Sequence, residues 1–328
     1  MSDTLTRTIR LSPADNVVVA RNALRSGTTI SEEGVATVDA IDPGHKIATR
    51  VIKRGDTVRK YDQIIGIAEA DIQPGQHVHT HNLRMDDFDR DYQFCRGVKS
   101  LDYRSEAERA TFQGIVRDDG RIATRNYIGV LTSVNCSATV ARHVAAKFND
   151  AVLAEFPNVD GVAALTHDYG CGGCAGMGLN YIQRTLSGYS RHPNFYAVVI
   201  IGLGCEANQI GAMMDAEKLN PSETLHAFTI QDSGGSAAAA ERGEGLVREL
   251  LTDANRIERV ERPASDLVLA LECGGSDGYS GISANPALGA AADLLVLNGG
   301  TACLGETPEI YGAEHLLTRR AVTPEAVS

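Results

Sequence analysis

The sequence predicts an α/β protein: a small N-terminal all-β module followed by a doubly wound, mainly parallel sheet. Three observations carry that expectation. Over residues 1–83, short apolar runs alternate with turn signals. From residue 112 onward, apolar runs alternate with longer helical patterns. Cysteine-bearing, glycine-rich loops recur behind those runs, with Cys136 to Cys171 spaced by 35 residues, Cys171 to Cys205 by 34 and Cys205 to Cys273 by 68. One βαβ step takes about 30 residues or more, so that interval predicts thiols returning at one end of a sheet.

Taken in order, residues 16–20, 47–51, 64–68 and 77–82 read as strands, and turns fall at Arg25-Ser26-Gly27, Asp42-Pro43-Gly44, Lys53-Arg54-Gly55-Asp56 and Gln73-Pro74-Gly75. Residues 84–111 are charged and aperiodic and read as a linker or surface strap. A first α/β domain spans 112–262, and a second begins at 263 and runs to 328. Strand and helix pairs are expected at 127–134 with 137–149, 161–166 with 177–186, 197–202 with 207–219, and 225–230 with 236–253. Two further pairs are expected at 266–271 with 285–292 and at 293–297 with 308–317. In open α/β sheets the ligand crevice lies outside the carboxyl ends of the strands, so the loops there are the candidate site.

With 31 Lys and Arg against 42 Asp and Glu, the net charge of −11 argues against nucleic-acid and anionic-membrane partners, both of which need clustered positive charge. Trp is absent and aromatics are 5%, so base-stacking platforms are scarce. The N-terminus shows no apolar signal core and no run approaches 18 consecutive apolar residues, which together predict a cytoplasmic protein. Seven cysteines, mostly in glycine-rich turns, fit a reducing compartment with thiols kept for chemistry or metal.

Four constellations carry candidate chemistry. His77, His79 and His81 would share one face of a strand, presenting three imidazoles suited to Fe, Zn or Mn; the plainer reading is a polar, solvent-facing face. Cys136, Cys171, Cys205 and Cys273 would offer soft thiolates for iron or an iron–sulfur cluster, with Cys174 and Cys303 nearby, although free cysteine is also a common buried filler. Cys171-Gly-Gly-Cys174 alone has the form of a redox pair. His167, Asp168, Glu206, Glu272 and Asp277 beside these loops are candidate proton carriers, or else helix caps and surface charges. Gly44-His45-Lys46 and Thr124-Arg125-Asn126 supply an acid or base in His45 and carboxylate-holding cations in Lys46 and Arg125. No dinucleotide or P-loop fingerprint follows any predicted strand, which disfavours nicotinamide and nucleotide chemistry.

The blocks HVHTHN, YGCGGC, VIIGLGCEANQ, LECGGSDGYSGISANPALG and ETPEIYGAEHLLTRRAV, in that order, resemble the altronate/galactarate dehydratase family of sugar-acid dehydratases. The resemblance covers nearly the whole chain, and the HVHTHN segment is more like its altronate branch. It implies an N-terminal SAF-type β-clip domain joined to Rossmann-like domains. It further implies a divalent metal, Fe2+ or Mn2+, with an iron–sulfur cluster as a further option. By motif it carries over His45, Lys46, His77, His79, His81, Asn82, Arg125, Asn126, Cys136, Cys171, Cys205, Glu206, Glu272, Cys273, Ser276 and Asp277, without dividing them between metal and proton transfer. With His167 added from the residue reading, the catalytic candidates are His45, His167, Glu206, Glu272 and Asp277, and the substrate-binding candidates Lys46, Arg125, Asn126 and Ser276. The metal candidates are His77, His79, His81, Cys136, Cys171, Cys205 and Cys273. Members of the family extend past the HLLTRRAV block, whereas this chain stops at Ser328, so a C-terminally truncated or split product is expected.

The implied reaction removes the C2 proton and the C3 hydroxyl of a sugar acid such as D-altronate to leave a 2-keto-3-deoxy acid. Alternatives are a non-catalytic or partner-requiring subunit and a sulfo-lyase acting on a sulfonated hydroxy acid. The expected partners are a small sugar acid and either a second copy of the chain or a separate C-terminal chain.

Overall fold

Apolar runs of two to six residues between tight turns leave the N-terminal segment only short strands to form. The computed structural model describes residues 6–87, 92–172 and 176–327. The chain divides into two compact units, one of Met1–Arg104 with Val268–Ser328 and one of Ser105–Leu267.

In the first unit, strands β1 (Thr8–Ile9), β2 (Val17–Ala20), β3 (Thr29–Ile30), β4 (Val35–Ala36), β5 (Lys46–Ala48), β6 (Thr57–Lys60), β7 (Gln63–Ala68), β8 (His77–Val78) and β9 (Leu83–Arg84) build the β module. They form antiparallel sheets ordered β1-β2-β5-β8 and β6-β7-β9, with β3 and β4 as a separate hairpin. Successive side chains of a strand point to opposite faces. In β2, Val17 therefore enters one core with Ile52, Val58 and Ile72, while Val18 enters another with Leu24, Ile30 and Ile41. Both faces being buried explains why β2 reads as an unbroken apolar run.

The second unit holds β10 (Thr111–Val116), β11 (Ile122–Ala123), β12 (Tyr127–Thr132), α1 (Ala138–Ala146), α2 (Asp150–Leu153), β13 (Gly161–Leu165), α3 (Met177–Ser190), β14 (Phe195–Gly202), α4 (Ile210–Ala216), β15 (Leu225–Thr229), α5 (Ser236–Ala254) and β16 (Val260–Pro263). Its main sheet has the order β13-β12-β14-β15 and is parallel throughout. Ala197, Val199 and Ile201 of β14 face the core shared with α1 and α5, whereas Val198 and Ile200 face the core shared with α3 and α4. Helices thus cover both faces, the doubly wound arrangement the sequence predicts. The chain leaves β12 toward β13 and returns to the other side at β14, so the strand order reverses between β12 and β14. A crevice belongs at their carboxyl ends. Beside this sheet, β10 pairs antiparallel with β11 and β16.

The chain then re-enters the first unit with β17 (Val268–Leu271), α6 (Asn285–Leu297), β18 (Thr301–Leu304) and α7 (Glu314–Thr318). Here β17 and β18 make a two-stranded parallel sheet of their own, so the predicted runs are divided between two sheets. Residues 293–297, expected as a strand, continue α6, which starts at Asn285 as expected but does not stop at 292; a short apolar run does not distinguish a strand from a helix. Gly299 and Gly300 accordingly lead into β18 and do not follow a strand, and Cys303 lies within β18. The helix expected over 308–317 is a 3-10 turn at Thr307–Ile310 and then α7, separated at Gly312, whose φ of 78° no helix continues. Residues Ser280–Leu297 form a helical stretch of 18 residues with mean hydropathy 1.2, long and apolar enough to cross a membrane by length and composition, and none of it is buried.

Candidate functional site

In the first unit four imidazoles converge. The turn at Asp42-Pro43-Gly44, closed by a hydrogen bond from the His45 amide to the Asp42 carbonyl, delivers His45 to the start of β5. β5 pairs with β8 so that Ile47 lies opposite His77. The expected strand over 77–82 ends at Val78, and the chain turns over His79–Asn82 because Asn82 fastens it. The buried Asn82 amide donates to the His77 carbonyl at 2.8 Å, and its oxygen accepts the His79 amide at 3.0 Å. The turn does the gathering that a period of two was expected to do. His45 Nδ1 lies 2.8 Å from His77 Nε2, the rings of His45 and His79 stack at 5.3 Å, and His77 and His81 are centred 5.3 Å apart.

Burial first, and then the neighbouring imidazoles and Lys46, depress the pKa of His77. Burial and Lys46 likewise depress His79, so both rings favour the neutral form. The half-buried Lys46 ammonium is itself pushed down by burial and by Lys60.

The loop carrying Cys273, Ser276 and Asp277 belongs to this same unit. Gly44 and Gly278 touch backbone to backbone: a Cβ on Gly44 would sit 2.9 Å from the Gly278 Cα, at a φ of 81° that already favours glycine. Tyr279 Oη donates to the Arg21 carbonyl at 2.7 Å, and Tyr61 Oη donates to the Gly281 carbonyl. The Gly-His-Lys and Ser-Asp-Gly motifs, 230 residues apart, are thereby brought side by side. Asp277 uses one carboxylate oxygen to accept the amides of Tyr279 and Ser280 at 2.7 and 2.9 Å, fixing the loop. Cys273 Sγ lies 3.3 Å from Ser276 Oγ, and both line a cavity of about 560 Å3 with Glu272, Glu306 and Glu309. Desolvation, then the shared hydrogen bond and charge of Glu306, raise the pKa of Glu309. Glu306 and Glu309 were not foreseen; two acids three residues apart directly behind Gly305 were the available signal.

In the second unit the loops behind β12, β13 and β14 meet, as the thiol spacing predicts for Cys136, Cys171 and Cys205; Cys273 does not follow, since it lies behind β17 on a separate sheet in the other unit. Cys136 and Cys171 sulfurs lie 3.2 Å apart, and the Ala207 amide donates to the Cys171 carbonyl at 2.8 Å, tying the Cys205–Glu206 turn to the pair. A proton shared with Cys136 raises the Cys171 pKa, helped by desolvation and by the Glu206 charge. Burial would raise Glu206, but Ser133 Oγ at 2.6 Å and the amides of Gly204 and Leu203 outweigh it and hold the carboxyl below its ordinary range. A Cβ at Gly202 would fall 2.5 Å from that carboxylate, the physical reason for the glycine in Gly-Leu-Gly-Cys-Glu. Ser133 was not foreseen. His167 donates from Nε2 to the Thr132 carbonyl and accepts the Tyr169 amide at Nδ1, so both ring nitrogens are engaged.

Arg125 and Asn126 lie at the amino end of β12, the end opposite Cys136. Arg125 pairs with Asp160 at 3.0 Å, and the fully buried Asn126 donates to the carbonyls of Asn158 and Ala254. Cys174 lies outside the described residues. Cys136, Cys171, Cys205 and Cys273 are all free thiols.

Among the described residues no three His, Cys, Asp or Glu side chains converge as a ready metal-ligand set. The 2.8 Å between His45 Nδ1 and His77 Nε2 is a hydrogen bond, so the donors left to fit a cation are the other imidazole nitrogens of the cluster, whose rings at 77 and 79 favour the neutral form a metal needs.

A β module joined to a doubly wound α/β core, with imidazoles gathered in one unit and the Cys136–Cys171 pair in the other, defines a class of enzyme-like scaffolds; comparison with known proteins gives its family. Residues 6–86 match the altronate/galactarate dehydratase SAF domain, 114–255 the D-galactarate dehydratase/altronate hydrolase second domain, and 264–328 the D-galactarate/altronate dehydratase C-terminal domain. The chain belongs to the altronate/galactarate dehydratase family. It is 34% identical over 322 residues to the altronate dehydratase of Bacillus subtilis, a match covering 97% of this chain and 63% of that protein. It is 37% identical over 314 residues to the altronate dehydratase of Escherichia coli, covering 94% and 62%. Subunit beta of the (2R)-sulfolactate sulfo-lyase of Chromohalobacter salexigens is 33% identical over 220 residues, covering 67% and 52%.

Proposed function

We propose that this chain carries out, or contributes the larger part of, the dehydration of a sugar acid, with D-altronate as the first candidate and D-galactarate the second. The observation that carries this reading is the meeting of the imidazole cluster with the Gly278 loop in one unit, reinforced by the family. A divalent cation, Fe2+ or Mn2+, would be held by His77, His79 and His81, and when bound it would polarise the substrate carboxylate and the adjoining hydroxyl. Neutral rings are needed for that, and burial with mutual repulsion favours neutrality in His77 and His79.

Lys46 orients the substrate carboxylate. His45, bonded to His77, takes the proton from C2 and returns one to the departing C3 oxygen, so that water leaves and the enol becomes a 2-keto-3-deoxy acid. The roles left to Glu206 and Asp277 are positional, since their carboxylates are occupied by local amides. The thiol pair Cys136 and Cys171 is a second donor set for iron, and its free state suits a reducing cytoplasm.

The test is anaerobic incubation with ferrous iron and either acid, assayed for 2-keto-3-deoxy acid, with metal content measured in parallel. Turnover lost together with metal in a His77→Ala/His79→Ala variant, and kept in Cys136→Ser/Cys171→Ser, supports the imidazole assignment; the reverse pattern moves the metal to the thiols. Absence of turnover on both acids, with metal bound, overturns the dehydratase reading.

A second reading is favoured by one observation. Helix α6 buries no residue, Val268 of β17 is 71% exposed and Leu294 57%, so the two-stranded sheet and its helix offer an apolar surface awaiting cover. The chain spans less than two thirds of the altronate dehydratases it matches, and one relative is itself named as a subunit. On this reading activity needs a complementary polypeptide. Turnover that appears only when the unmatched portion of the Escherichia coli relative is added would support it, and full turnover by the chain alone would reject it.

A further inference from the structure

At the amino ends of the main-sheet strands, opposite the Cys136, Cys171 and Cys205 loops of the same unit, the second unit has a cleft of about 420 Å3. Three segments meet there: the turn between β10 and β11, the connection from α3 to β14, and the connection from α4 to β15. They line it with Arg117, Arg121, Arg191, His192 and Lys218. The carboxylates in the lining are Asp118 and Asp119. Asp119 is occupied by Arg121 in an ion pair of 2.6 Å. In a chain of net charge −11, a concave surface whose cations outnumber its carboxylates is an exception that calls for a cause.

Part of that charge has an internal use. Helix carboxyl ends leave carbonyls without partners, and Arg191 donates to those of Glu217 and Lys218 at the end of α4. Arg121 donates to the Arg191 carbonyl as well as to Asp119.

Arg117 is different. It is half-buried, and its hydrogen-bond partners are neutral oxygens: the Pro193 carbonyl at 2.8 Å, the Asn126 side chain at 3.1 Å and the Arg125 carbonyl at 3.3 Å. Its Nη1 is buried and has no partner among the described residues. Burial accordingly depresses its pKa, with Arg259 adding to the effect and the nearby acids and Tyr196 opposing it. The exposed Lys218 is held at a φ of 52° and uses its backbone for Asp215 and Arg191, while its ammonium makes no hydrogen bond or ion pair among the described residues. A half-buried cation held by neutral dipoles with one nitrogen unpartnered, lining the same cleft as an idle ammonium and an imidazole, is the arrangement that a bound anion completes.

We propose that this cleft binds a multiply charged oxyanion of the phosphate type, free or as a phosphate ester. Arg117 supplies one fixed donor, His192 a second through Nε2, its Nδ1 being held by the Asn194 amide, and Lys218 supplies the adjustable one. The volume admits more than a bare anion, leaving room for a small polyhydroxylated body on an ester. Strand β14 begins at this cleft with Phe195 and ends seven residues later at Gly202, near the Cys205 turn, about 23 Å away at 3.3 Å per residue. A ligand here would touch neither the Cys136–Cys171 pair nor the Glu206 turn, though Arg117 itself bonds to Arg125 and Asn126, and its occupancy is read by binding alone.

The experiment is titration calorimetry of the purified chain with inorganic phosphate and, separately, with glycerol 3-phosphate, chloride being adjusted to constant ionic strength. Saturable binding of one anion per chain is expected. Lys218→Glu, an exposed change that leaves the fold intact by thermal melting, should weaken it about tenfold or more, as should His192→Glu. Arg117→Lys, which keeps the charge and loses the fork, should weaken it as well. Tighter binding of the ester than of phosphate identifies the ester as the ligand class; equal or weaker binding identifies the free anion. No saturable uptake of either, or unchanged affinity in Lys218→Glu, would overturn the proposal.

Discussion

Glu206 shows how much a single side chain can organise without reacting. It is 3% exposed, accepts Ser133 Oγ and two loop amides, and lies where only a glycine at 202 leaves room. Replacing it by Gln keeps the size but turns one acceptor into a donor facing donors, so Glu206→Gln should cost about 1–3 kcal/mol by denaturant unfolding. Because the folded carboxyl is held below its ordinary value, its contribution is fully present above about pH 4.3 and fades as pH falls through the folded value. The Gln variant should therefore lose the acid dependence in that window, whereas an unchanged acid limb would contradict the role. At Gly44 the constraint is purely steric. Gly44→Ala should destabilise the first unit by about 1–3 kcal/mol through its positive φ and the collision with Gly278, and should free the Tyr279 ring, read as a change in tyrosine fluorescence.

At the scale of elements, β14 is the most constrained strand. Ile200 and Ile201 are fully buried on opposite faces, in the α3–α4 core and the α1–α5 core respectively. Ile200→Ala and Ile201→Ala should each cost about 2–5 kcal/mol, with additive effects if the two cores are as independent as the sheet between them implies; a strongly non-additive double variant would count against it. This strand, its neighbours and their thiol loops were legible in the sequence because buried parallel strands read as continuous apolar runs of fixed spacing. The 293–297 segment was not, for the same reason inverted: a helix without a covered face has no amphipathic period to betray it. The histidine cluster was legible as a cluster, yet its cause was misread. Asn82, a turn-former, brings the rings together by hydrogen bonds that no periodicity reports. Arg125 and Asn126 drew attention as a cationic pair before a strand, but their partners, Asp160, Asn158 and Ala254, come from distant turns that local sequence cannot display.

For the molecule as a whole, the uneven quality of its cores is the dominant physical fact. The main sheet of the second unit is sealed on both faces, whereas β17, α6 and β18 leave Val268, Leu294 and Leu304 open to solvent. The isolated chain should bind a hydrophobic dye such as ANS strongly at neutral pH while keeping cooperative near-UV circular dichroism. Leu294→Lys should reduce that signal without lowering the melting temperature, and a protein that excludes the dye would mean this surface is covered by self-association.

The Tyr279 and Gly278 contacts have a consequence for biosynthesis. The strand module at the start of the chain is completed by a loop translated after the whole of residues 105–267 has emerged. At roughly 5–20 residues per second, the nascent module waits on the order of ten seconds or more with its Gly44 edge bare, a window in which a chaperone or a neighbouring polysome chain can reach it first.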